Sequence, residues 1–107
     1  MADQSSETPV LDLLTEMTAA SIEATGLDEQ TLMLVRFAAL VAVDAPPASY
    51  LLNMGVAADA GLDADDARDV LTAIAPIVGT ARTAAAVGKM GRALGLALEL
   101  AALDAEE

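Results

Sequence analysis

A protein that moves protons or attacks carbonyls near neutral pH draws on a short list of side chains, and this chain lacks the two most versatile ones. Its 107 residues contain no cysteine and no histidine. Thiolate attack on a peroxide or disulfide is therefore excluded, and so is imidazole acid–base catalysis. Three groups of charged residues remain as candidates. Arg36 interrupts the apolar run Leu32–Val43, where an unpaired charge is costly, so it must find a partner, reach water or hold an anionic ligand. Arg82, Lys89 and Arg92 form the one basic stretch, within an acid-free span from Val70 to Leu98. They suit ion pairs with acidic helices, or alternatively a small carboxylate or phosphate. The acids Asp59, Asp63, Asp65, Asp66 and Asp69 lack the alternating ligands, central glycine and terminal glutamate of a calcium loop. They read as the capped, solvated start of a helix, and no metal or other cofactor is expected.

Composition limits the partners. The formal net charge is −12, which repels phosphate backbones and anionic lipid surfaces, so neither nucleic acid nor membrane is expected. No basic, apolar leader opens the chain, whose first basic residue is Arg36, and this predicts a cytoplasmic protein. Hydrophobic residues make up 55% but aromatics only 2%, namely Phe37 and Tyr50. A core of Ala, Leu, Val, Ile and Met brings helix backbones close together, and alanine and leucine are strong helix formers. The expected class is all-α, with about five helices in an antiparallel bundle. Residues 1–7 are expected to be a mobile tail and 8–107 one helical domain.

The elements that would position these groups can be placed by caps and periodicity. Thr8 and Pro9 suit the start of a first helix with an apolar face at Leu11, Leu14 and Met17, ended by Gly26. Asp28 caps a second helix that is apolar on most sides and hence central, stopping near Val43. Asp44-Ala45-Pro46-Pro47 reads as the cap and first turn of a third helix, ended by Gly61. Asp63 and Asp66 form a capping-box-like pair at the fourth helix, whose stripe is Ala67, Val70, Leu71 and Ile74 and which Pro76 should break or kink. Thr80 caps a long fifth helix. On its wheel Ala81, Ala84, Gly88, Gly91 and Gly95 share one face, which predicts a close helix neighbour there. One chain of this size has difficulty covering helix 2 and the end of helix 5, with Leu96, Leu100 and Leu103, so self-association is expected.

The stretch LDEQTLMLVRFAALVAVDAP, followed by NMGVAADAGLDADDARDVLTAIAPIVGTARTAAAVGKMGRALG, resembles the carboxymuconolactone decarboxylase and alkyl hydroperoxidase D-like superfamily over Leu27 to Leu98. The resemblance rests on helix order, the AADAGLDADDARDVL junction and the PIVGT turn. It implies an alkyl hydroperoxidase D-like helical fold and a homo-oligomer, a trimer or hexamer. Redox-active relatives carry Cys-x-x-Cys-x-x-x-His at the start of the helix before that junction, which maps here onto Pro46, Ser49 and Asn53. The assisting glutamate falls near Met33 or Leu34. None of these can serve a thiol relay, so no catalytic residue is assigned. What the resemblance leaves at that place is Ser49, Tyr50 and Asn53 with Asp44 at the helix start. Together with Arg36, these are the candidate ligand-binding residues, for a small anionic molecule. They equally suit capping and an interface. The expected function is an oligomeric binding or structural module, and the alternative is an enzyme acting on a lactone or carboxylate by acid–base chemistry.

Overall fold

The computed structural model describes residues 7–105, the side chains at 97, 100, 101, 104 and 105 excepted. The tail expected over 1–7 lies, apart from Glu7, outside the described residues. Five helices follow one another, α1 (Pro9–Ala24), α2 (Glu29–Ala42), α3 (Pro47–Asp59), α4 (Ala64–Val78) and α5 (Thr80–Ala105), and the described residues hold no strand. The class is all-α.

Local chemistry explains most boundaries. The Asp28 carboxylate accepts the Thr31 N–H at 2.7 Å, and this bond holds its carboxyl below the ordinary range. Asp63 and Asp66 close a full capping box, each side chain accepting the other's backbone N–H at 3.0 and 2.9 Å. Pro76 does not break α4, which continues to Val78. The break falls at Gly79, whose φ of 91° no other residue type adopts easily. Thr80 is accordingly the first residue inside α5 and not its cap.

The α2–α3 corner departs from the sequence expectation. Asp44 does not cap α3, whose N-cap is Pro46. It terminates α2 instead, in a Schellman turn where Asp44 N–H bonds Val41 O at 3.1 Å and Ala45 N–H bonds Leu40 O at 3.0 Å. The same turn ends α3 around Gly61, but here a residue with a side chain takes the left-handed position, at φ 57°. The side chain has a purpose that only tertiary structure reveals. Lys89 Nζ on α5 donates to Asp44 Oδ1 at 2.7 Å and to its backbone oxygen at 3.3 Å. Two turns before, Arg82 Nη1 donates to Ala42 O, at the negative end of α2. Two cations of α5 thus hold the corner, Lys89 through an ion pair and Arg82 through a backbone carbonyl.

The core is small and centred where α5 meets α3 and α2: Val41, Ala45, Tyr50, Leu71, Ala86 and Ala93 are buried. Helix α2 is central as expected, packed against α3, α4 and α5. The glycine stripe is a correction. Ala81, Ala84, Gly88, Gly91 and Gly95 are all exposed, and a Cβ built on any of the three glycines would meet no atom within 4 Å. The wheel identified residues that share a face but assigned that face to the wrong side. Alanines 86 and 93 make the close approach, and the glycines lie on the outer side of α5. The shortage of cover also falls differently. Helix α2 is largely covered, whereas no residue of α1 is buried.

Because Lys89 is only 23% exposed and meets two oxygens, Lys89→Met should lower the melting temperature more than Arg68→Met, which removes ion pairs on a side chain 68% exposed. The acid limb carries the same signature. The hydrogen bond from Lys89, then its charge, holds the Asp44 carboxyl below the ordinary value of 3.8. The pair therefore contributes stability above that value and loses it as pH falls through the lowered one. Asp44→Asn should flatten the fall of stability across that acidic window in denaturant titrations.

Candidate functional site

An apolar cleft of about 700 Å³ opens between α2, α3, α4 and α5. Its inner wall is Phe37 and Leu40 of α2, Tyr50 and Met54 of α3, Leu71 of α4 and Met90 of α5, side chains that also pack on the core. Ala58, Ala67, Val87, Gly91 and Leu94 line it toward the outside, and Asp63, Asp66 and Arg68 bring charge to its edge. Volumes of ~300–1,000 Å³ are typical of small-molecule sites, but such sites also bring several polar groups to one point. This cleft does not.

Tyr50 is its one buried polar side chain, 4% exposed and set edge-on to Phe37 with ring centroids 6.0 Å apart at 70°. The hydroxyl is shielded from solvent and has no hydrogen-bond partner among the described residues. Burial pushes the phenol above its ordinary value of 10.0, and the charge of Asp44 adds to the shift. Asn53 also lines the cleft, but its amide donates to Ser49 O at 2.8 Å and is committed to its own helix.

The other candidate residues lie elsewhere. Ser49 is half-buried, one turn before Asn53, and is not part of the cleft wall. Asp44 is engaged by Lys89 at the corner. Arg36 is half-buried on α2, outside the cleft, with no ion pair among the described residues. Of Arg36, Asp44, Ser49, Tyr50 and Asn53, only Tyr50 and Asn53 come together in the cleft. Of the positions mapped onto the thiol relay, Pro46 is the exposed N-cap of α3 and Met33 is buried, while Leu34 and Asn53 line the cleft.

The acidic residues near α4 serve local ends. Asp63 and Asp66 cap the helix, and Asp65 and Asp69 pair with Arg68 at 3.4 and 3.7 Å. At the cleft edge, Arg68 is thus already occupied and the two capping carboxylates leave the edge negative. Sequence reasoning did not identify the cleft, although the α4 stripe was visible as an apolar face and Val87, Met90 and Leu94 recur at helical spacing along α5. That the two stand apart across a gap is a property of the helix arrangement alone.

These features define a class: an all-helical domain without cysteine, built around an apolar cleft that carries one buried phenol. A model of the carboxymuconolactone decarboxylase family matches residues 8–90, and the chain belongs to that family. The match takes in α1, which the resemblance over Leu27 to Leu98 had left out. No curated protein and no solved structure matches the chain.

An unpaired buried hydroxyl costs roughly 1–3 kcal/mol, so Tyr50→Phe should stabilise the protein by up to about that amount in denaturant unfolding. In the unsubstituted protein, absorbance titration of the sole tyrosine should give a midpoint above 10.0. Its raised value means that stability, fully present below the ordinary tyrosine range, is lost as pH rises through the raised midpoint, and Tyr50→Phe should abolish that loss.

Proposed function

We propose that this chain is a self-associating structural module that has kept the carboxymuconolactone decarboxylase fold without its thiol chemistry. The observation that carries the reading is α1. None of its 16 residues is buried, and Val10, Leu11, Leu13, Leu14, Met17 and Ile22 are between 43% and 68% exposed. A lone helix that offers this much apolar surface to water is an aggregation liability unless something covers it. The chain's dimensions support the same reading. Its accessible surface is 7337 Å², whereas a compact monomer of this mass exposes roughly 5,500 Å². Its radius of gyration is 15.4 Å against about 13 Å for a compact chain of this length. Leu94, Leu96, Leu98 and Leu103 add exposed apolar area at the end of α5.

Closed symmetric assemblies cover such surfaces, and a net charge of −12 opposes open-ended growth. A trimer or hexamer of this chain is the partner state proposed. The alternative, an enzyme acting on a lactone or carboxylate, draws its support from the unpartnered Tyr50 hydroxyl in the cleft wall. It has less behind it: an anion would approach Asp63 and Asp66 at the edge, and Arg82 and Lys89 are committed to the α2–α3 corner.

Light scattering after size exclusion should give at least twice the chain mass at micromolar concentration, and Leu13→Glu with Met17→Glu should reduce it to a single chain. A monodisperse wild-type monomer would refute the proposal. Peroxide consumption with a dithiol reductant should not exceed the reductant's own rate, and turnover that follows the protein through purification would contradict the loss of redox function.

A further inference from the structure

We infer that α1 of one copy lies in the α2–α5 cleft of a second copy. The inference rests on the self-association proposed above and names the two surfaces that produce it.

Helix α1 divides into three faces at 100° per residue. Asp12, Glu16 and Glu23 occupy one. Leu11, Thr18 and Ile22 occupy a second, which borders Leu52 of α3 across a shallow groove of about 340 Å³. Val10, Leu13 and Met17 occupy the third, with Leu14 at the border, and this face carries no charge. Its own chain covers at most the second face, and Val10, Leu13 and Met17 remain 56–68% exposed.

The chain's own cleft is closed to this arm by position. Around α3, the cleft residues Tyr50, Asn53, Met54 and Ala57 lie on one side, and Leu52, which shares the shallow groove with α1, lies about 100–160° away from them. Helix α3 therefore stands between α1 and the cleft. The connection to α2 is only 25–28, with a reach of at most about 14 Å when fully extended. The arm cannot pass round α3 on so short a tether, but it can project to a neighbour.

The cleft fits this occupant. Its apolar wall is contributed by all four remaining helices, and Ala58, Ala67 and Gly91 along its outer part are small enough to let a helix approach. Docking the Val10–Leu13–Met17 face turns the three α1 carboxylates about 120° away from the cleft wall. The charge pattern of the arm thus selects one face for the cleft. The area agrees as well. The surface in excess of a compact monomer, roughly 1,800 Å², exceeds the about 800 Å² per partner that a standard interface buries. An arm given and an arm received draw on that excess twice. Two copies exchanging arms and a ring passing each arm to the next both satisfy this contact.

A chain without cysteine makes the test direct. Met17→Cys is introduced into one population, and Ala58→Cys, Ala67→Cys or Leu94→Cys singly into a second population distinguished by a tag. The two are unfolded together, refolded and oxidised. We expect a disulfide-linked heterodimer with at least one of the three cleft positions in most chains, and none when Ala19→Cys, about 160° round α1 from Met17, replaces Met17→Cys. Light scattering on the reduced mixture separates the two ways to fail. A monomer at that stage removes the self-association on which the inference rests. An intact oligomer that forms no cross-link at any cleft position overturns the arm-in-cleft contact alone. Two other occupants would also overturn it. One is the chain's own arm, seen as a cross-link confined within a Met17→Cys/Ala67→Cys double variant that stays at monomer mass. The other is a small molecule, seen as a neutral apolar dye taken up by the assembled wild-type protein and expelled by Ala67→Trp.

Discussion

The contact along which α5 lies against α3 and across the end of α2 is the reference for everything else in this domain. Ala86 and Ala93 are 2% and 0% exposed and allow the helices to approach closely, while Lys89, between them, reaches the α2–α3 corner. The two parts depend on each other. Alanine spacing sets a separation at which a lysine side chain meets the corner, and the ammonium group then holds the turn whose left-handed residue is Asp44. Tyr50, Val41 and Ala45 are buried because that corner is in place. The cleft lies along the neighbouring side of α5, which carries Val87, Met90 and Leu94.

Much of the fold was legible from neighbouring residues. Asp28 and the Asp63–Asp66 box start their helices through bonds spanning three residues, so the sequence displays both donor and acceptor. The end of α2 was not legible in the same way. Asp44 has the composition of a cap for the following helix, and only a lysine 45 residues away gives it another role. Helix wheels had a related weakness on α5. They grouped Gly88, Gly91 and Gly95 correctly, but a wheel has no inside, and only Ala86 and Ala93, on nearly the opposite side, reveal which way the core lies. The candidate site was legible at two residues: Tyr50 and Asn53, named for their place on α3, both line the cleft. Arg36, named as a charge within an apolar helix, and Asp44 and Ser49, named for their place at the start of α3, are directed elsewhere by the helix arrangement.

The positions onto which the resemblance maps a thiol relay are not the residues that hold the fold. Pro46 begins α3, Ser49 accepts from Asn53 within the helix, and neither belongs to the buried core. In a family defined by its helices, those positions can change without disturbing the alanine contact or the corner. Apolar surface stays exposed on α1 and along the outer part of the cleft.

The Phe37–Tyr50 pair has a further consequence. With no tryptophan, one phenylalanine and one tyrosine, the chain holds only two chromophores beyond the peptide group, and they touch edge-on in the wall of the cleft. The near-ultraviolet circular dichroism of the molecule therefore arises from a single asymmetric ring pair. Its sign and intensity report the geometry of that wall alone, without label or substitution, and whatever comes to rest against it writes directly into the spectrum.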